Sequence, residues 1–225
     1  LTQPNDYQGP GTGYRVEGQR WDQLQNLPQA WDPKAFLTDL DGDSTDWFEE
    51  LGPAQPGQDR EIIIALDPAF GNGISKSIGG LNLHEVLLAL QAGVQEGGVP
   101  VRIVRVFHTS DCAFIGHAGA QLSGSGIAIG IQSKGTTVIH QRDLAPLENL
   151  ELFPQAPNLD LDLYRQIGNN AALHASGKPA VPVSVKIDNT VRLRLIVQTT
   201  LLQCRATQMV VPDRPPEELR LRKRT

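Results

Sequence analysis

Three observations predict an α/β fold: a mostly parallel sheet, helices on both of its faces, and an extended N-terminal arm. From Glu61 onward, short apolar runs alternate with segments of helical periodicity. Ile62 to Leu66 is continuously apolar, as a strand covered on both faces requires. Residues 1–58 instead lack a sustained period and are rich in Gln, Asp, Gly and Pro. The chain divides on this reading into an arm, 1–58, and an α/β unit, 59–225.

Each element has its own signal. After the strand at Ile62, DPAFGNG (Asp67 to Gly73) reads as a loop. Asn82 is placed to cap a helix, with Glu85 three residues on. Leu83, Val86, Leu87, Leu90 and Val94 give that helix an apolar face, and Gly97 and Gly98 end it. Val101 to Phe107 is a second strand, and Thr109, Ser110 and Asp111 open a short helix to about Ala120. Ile127 to Ile131 is the third strand, reached by a right-handed crossover. Thr136 to His140 is a fourth. The following segment is broken by Pro146, Pro154 and Pro157, which exclude a helix and leave an extended wall. Asp160 caps a helix with Tyr164, Ile167, Ala171 and His174 on one face, closed by Gly177. Val191 to Val197 and Leu201 to Val211 read as late strands.

The arm carries the acidity. Residues 1 to 60 hold eleven acidic and four basic side chains, against a net charge of -5 for the whole chain. All three tryptophans (Trp21, Trp31, Trp47) also lie in it, and such large apolar anchors suit an arm that wraps a partner or its own domain. Asp39, Asp41, Asp43 and Glu50 have the spacing of a calcium loop, but Ser44 occupies the place that needs glycine, so an acidic turn is the simpler reading. The chain begins at Leu1 instead of Met, which leaves room for a leader, and no segment has the form of a signal peptide.

Composition sets outer bounds. Hydrophobic content of 40% and charged content of 20% fit a soluble protein, and no apolar run approaches the ~20 residues of a membrane span. The acidic balance argues against nucleic acid as a partner, because such binding draws on Lys and Arg. Cys112 and Cys204 form no CxxC pair, which fits a reducing cytoplasm.

The chemistry-bearing stretch is SGSGIAIGIQSKGTT, Ser123 to Thr137. Gly124, Gly126 and Gly130 resemble a dinucleotide fingerprint in spacing, but they enter a strand where that motif opens a helix. Lys134 precedes Gly135 with no helix following, so a Walker loop is excluded as well. Ligands of parallel sheets bind beyond the carboxyl ends of the strands, which places Asp111 and Lys134 on one rim. The five histidines show no metal spacing, and no nucleophile, base and orienting group assemble. The residues alone describe a polar rim, a neutral wall and no catalytic machinery.

Residues 123 to 157 (SGSGIAIGIQSKGTTVIHQRDLAPLENLELFPQAP) and YRQIGNNAA at Tyr164 to Ala172 resemble the medium (β) subunit of coenzyme B12-dependent diol and glycerol dehydratases. Weaker similarity runs through EIIIALDPAF and HTSDCAF to Arg192 and EELR, over roughly residues 48–220. The resemblance implies a lyase built as a dimer of heterotrimers of large, medium and small subunits. The large subunit would carry the substrate, its metal ion and the catalytic residues, and this chain would cover the other side of the cobalamin. Adenosylcobalamin would start radical dehydration of 1,2-propanediol or glycerol to an aldehyde. Its benzimidazole would remain on cobalt, consistent with the absence of DxHxxG. The cofactor-binding positions implied are Asp111, Lys134, Leu147, Asn149, Pro154, Gln155, Ala156, Pro157 and Arg192, with no catalytic and no metal-binding residue in this chain. A reactivating factor is a further implied partner, and the setting is the cytoplasm or a bacterial microcompartment. Two rivals remain: the small subunit of the reactivating chaperone, and a non-catalytic assembly protein.

Overall fold

The computed structural model describes residues 35, 36, 47–57, 60–185 and 189–222. Residues 1–34 and 37–46 of the arm, and with them the acidic turn at Asp39 to Asp43, lie outside the described residues; its last part, expected to have little regular structure, forms a strand at Phe48–Pro53.

Seven strands form one sheet: β1 (Phe48–Pro53), β2 (Ile62–Leu66), β3 (Val101–Arg105), β4 (Ile127–Ile131), β5 (Thr137–Gln141), β6 (Glu151–Phe153) and β7 (Glu217–Leu221). Their spatial order is β1-β7-β3-β2-β4-β5-β6. Among the described residues, α-helices run over α1 (Leu83–Glu96), α2 (Cys112–Leu122), α3 (Leu161–Ala175), α4 (Asn189–Arg194) and α5 (Ile196–Gln208), and a 3-10 turn, Ala156–Asn158, follows β6. The fold is α/β, as the alternation predicts, and the sheet is mixed. Parallel pairing is confined to β2 with β3 and β2 with β4. β5 runs antiparallel to β4 because the residues between them form a hairpin too short for a crossover. β1, inside the stretch read from sequence as arm, is the edge strand and pairs with β7.

The central strands are buried on both sides, which explains their unbroken apolar runs. Ile62, Ile64, Leu66, Ile129 and Ile131 face the larger core with Leu83, Leu87 and Leu90 of α1 and Tyr164 and Ile167 of α3. Ile63, Ala65, Val104 and Ala128 face the second core with Ile115 and Ala120 of α2. The predicted caps form: Asn82 Oδ1 accepts from His84 N at 2.9 Å, and Asp160 Oδ1 accepts from Leu163 N at 2.8 Å.

The late strands predicted at Val191–Val197 and Leu201–Val211 are corrected by the structure. That region is helical (α4 and α5), and the last strand is Glu217–Leu221. Leu202 and Ala206, four residues apart, are the buried positions of α5, so tertiary burial at helical spacing outweighs the β-branched Val, Ile and Thr around them. Among the described residues no helix is long and apolar enough to cross a membrane.

Candidate functional site

The β4–β5 hairpin carries Lys134 at its tip. Gln132 N donates to Thr136 O at 3.0 Å and Gly135 N to Gln132 O at 2.7 Å, which closes the turn. Gly135 has φ +99°, and a Cβ there would lie 2.6 Å from Tyr164 Oη. The Tyr164 hydroxyl in turn donates to Gly135 O at 2.8 Å, so a fully buried side chain of α3 sets the height of the tip.

Asp67, at the end of β2, fastens the same loop from below. Its carboxylate accepts from Ser133 N at 2.8 Å, from Ser133 Oγ at 2.5 Å and from Ala69 N at 3.0 Å. Burial raises the Asp67 pKa above the ordinary carboxylate range, and the Ser133 hydrogen bonds act against that rise. Removing the carboxylate by Asp67→Ala leaves the buried Ser133 and Ala69 amides without an acceptor, about 1–3 kcal/mol each, partly offset by relief of a buried acid. The expected net loss of about 1–2 kcal/mol falls on the hairpin. Amide hydrogen exchange at Ser133 to Thr136 should accelerate about tenfold or more, with the central strands little affected. Uniform acceleration across the sheet would show instead that Asp67 holds the whole core.

A polar network backs the hairpin. Gln132 Nε2 donates to Ser110 O at 2.5 Å and to Gln203 Oε1 at 3.2 Å, while Gln203 Nε2 lies 3.1 Å from Ser110 Oγ. Ser110 and Thr207 hydroxyls meet at 2.9 Å. The loop after β3, the end of β4 and α5 are thereby tied together. Asp111 is the N-cap of α2, its Oδ1 accepting from Ala113 N at 2.9 Å and Phe114 N at 3.3 Å. Part-burial pulls the Lys134 ammonium below its ordinary pKa, opposed by the carboxylates of Asp111 and Asp67. Lys134 and Asp111 thus share one rim, as their strand-end positions predict.

Lys134 also lines a cleft of about 290 Å³ with Ile78, Thr136, Pro154, Gln155, Ala156 and Pro157. Thr199 of α5 closes its far side and borders a second, more apolar hollow of about 540 Å³ that also reaches Lys134. The structure therefore gathers Lys134 and four of the proposed wall residues around one space. Leu147 and Asn149 are elsewhere, before β6, which carries the chain roughly 10 Å on to Phe153. Leu147 is 72% exposed. Arg192 falls within α4, and its side chain is outside the described residues. Sequence reasoning missed Asp67 and the α5 wall. Thr199 and Gln203, four apart, were the available helical signal for the latter.

Other candidates resolve into structure. A Cβ on Gly130 would lie 2.5 Å from Gly116 N, so this glycine admits α2 against β4 and has no dinucleotide role. His174 Nε2 meets Glu151 Oε1 at 2.8 Å, and His117 and His140 stack edge to face with centroids 5.0 Å apart. Among the described residues no three His, Cys, Asp or Glu side chains could hold a metal ion.

Residues 67–181, slightly more than half of the chain, match the family model of the dehydratase medium subunit. The chain belongs to the dehydratase medium subunit family. The match begins at Asp67, spans the hairpin, the wall and α3, and ends at Val181. Residues 1–35 match a different family, the dehydratase large subunit. The arm is thus not foreign to dehydratases. Among solved structures this medium-subunit chain is similar to a glycerol dehydratase reactivase, at 20% identity and TM-score 0.45, covering 57% of this chain and 99% of the other. It is also similar to a diol dehydratase-reactivating factor solved with ADP and Mg2+, at 23% identity and TM-score 0.40, covering 54% and 96%.

Proposed function

We propose that this chain is the medium subunit of an adenosylcobalamin-dependent diol dehydratase and forms the part of the cobalamin site that faces a catalytic large subunit. The carrying observation is the coincidence of the family match with the cleft that joins Lys134 to Pro154–Pro157. The donor set suits the cofactor. One ammonium, the Thr136 hydroxyl and the Gln155 amide offer few charges and several neutral partners to amide and phosphate groups, while Pro154 and Pro157, backed by the buried Ala156, give an apolar bed for an uncharged base.

Each residue has a defined task. Lys134, held by Tyr164 and Asp67 through the hairpin, supplies a partly desolvated cation, and desolvation strengthens its hydrogen bonds. Asp111, Leu147, Asn149 and Arg192 are further contacts, Leu147 and Asn149 for a ligand that extends along β6. Bound, the cofactor supplies the radical chemistry of diol dehydration, and the substrate metal ion belongs to the large subunit. This chain's part is to bind and to orient, so it needs no acid, base or nucleophile of its own. Rigid binding of the base side allows interaction energy to favour the reacting state over the resting one. The assembly is a dimer of heterotrimers with a small subunit, served by a reactivating factor, in the cytoplasm or a microcompartment.

Coexpressed with its large and small partners, the chain should give a complex that turns over 1,2-propanediol or glycerol only when adenosylcobalamin is added. A purified complex that neither retains cobalamin nor turns over either diol overturns this reading.

A further inference from the structure

We infer that the medium unit of this protein is the downstream part of a polypeptide whose upstream part is the large subunit, so that the two halves of the cofactor site are joined covalently. Two matches to different subunits of one enzyme lie in a single chain, the large-subunit match at residues 1–35 and the medium-subunit match at 67–181. The boundary between them agrees with the structure. Phe36, the first residue after the large-subunit match, is partly buried against the larger core. Trp47 and Phe48 are buried in the same core, each 6% exposed, and β1 then joins the sheet edge beside β7. Among the described residues, those packed on the medium fold begin at Phe36, where the large-subunit likeness stops.

Trp21 and Trp31 lie in the stretch of large-subunit likeness, and such large apolar anchors suit contact with a second unit. They are accounted for if their packing partners belong to a large unit. The connection between Phe36 and Trp47 spans at most about 40 Å when fully extended. A link this short converts association of the two units into an intramolecular step at roughly millimolar effective concentration. It also fixes their ratio at one to one.

The covalent claim stands apart from the cobalamin reading and relies on it only for the statement that the joined units share a cofactor site. The protein is taken as the cell makes it, from its complete reading frame, and peptide-mapped under denaturing conditions. One polypeptide should contain peptides from residues 1–35 and 67–181 together with further large-subunit sequence upstream of Leu1. A separate large-subunit polypeptide, beside a medium polypeptide that starts within or near residues 1–35, overturns the inference. A specific protease site inserted between Asp39 and Asp46 then tests the consequence by size-exclusion chromatography of serial dilutions. The uncut protein should elute as one species at every dilution, and the cut protein should release a separate medium unit as it is diluted, because its association is then bimolecular. Identical behaviour of cut and uncut protein means the link contributes nothing to holding the units together. Neither measurement uses cobalamin, so failure of the cofactor reading and failure of this one give different results.

Discussion

Gly130→Ala should be among the most damaging single substitutions in the chain, destabilising it by about 3 kcal/mol or more and lowering Tm by roughly 6–12 °C. An added Cβ would sit 2.5 Å from Gly116 N, 2.6 Å from Gly116 Cα and 2.9 Å from Cys112 O. All three are backbone atoms of α2, so no flexible side chain can move aside. Gly116 is itself confined, since a Cβ there would lie 2.7 Å from Val138 Cγ1 of β5. The helix must therefore lift off β4, and it carries Asp111 at its N-terminus away from Lys134 at the end of the same strand. Gly98→Ala is the informative contrast. Gly98 has φ +75° and nothing within 4 Å of its added Cβ, so only backbone strain of about 1–2 kcal/mol is expected. Thermal unfolding monitored by circular dichroism separates the two mechanisms. A Gly130→Ala protein as stable as Gly98→Ala would show that α2 does not press on β4 as described.

The parts of this molecule that local chemistry dictates were legible in the sequence. Asn82, Asp111 and Asp160 act through amides two or three residues away, so each cap could be read where it stands. The buried strands were legible because a strand covered on both faces has no polar position to spare. What escaped depends on partners distant in the chain. Asp67 acts on Ser133, 66 residues later, and nothing around DPAFGNG announces that. Thr199 and Thr200 favour a strand by local propensity, yet α5 forms because Leu202 and Ala206 reach the core. The prolines of the wall excluded an α-helix, but they did not show that Glu151–Phe153 would pair with β5 or that Ala156–Asn158 would wind into a single 3-10 turn. The arm illustrates a different limit. Without a hydrophobic period of its own, its kinship to the large subunit emerges only by comparison, and of its three tryptophans Trp47 alone is among the described residues, buried in the larger core.

Lys134→Ala should weaken cobalamin retention by about 10- to 100-fold while the complex still assembles, since hydrogen bonds from a charged donor contribute about 1.5–3 kcal/mol. Equilibrium dialysis of the assembled complex measures the loss, and size-exclusion chromatography checks assembly. The side chain is not what holds the hairpin: the tip is fixed by Tyr164 on Gly135 and by Asp67 on Ser133. Truncation at Cβ therefore removes a donor and leaves the loop in place. A complex that fails to assemble would make Lys134 structural and withdraw its assignment as a ligand contact. The pH dependence gives an independent check with a definite sign. Burial lowers the pKa of Lys134, so the free protein loses this proton at a lower pH than an ordinary lysine would. If the cofactor requires the charged form, affinity is complete below that lowered pKa and declines as pH rises through it, beginning before ordinary lysines titrate. Lys134→Arg keeps its charge throughout this range, so its affinity, whatever its value at neutral pH, should stay flat. Parallel alkaline declines in the wild type and in Lys134→Arg would place the titrating group elsewhere and leave Lys134 without a charge-dependent role.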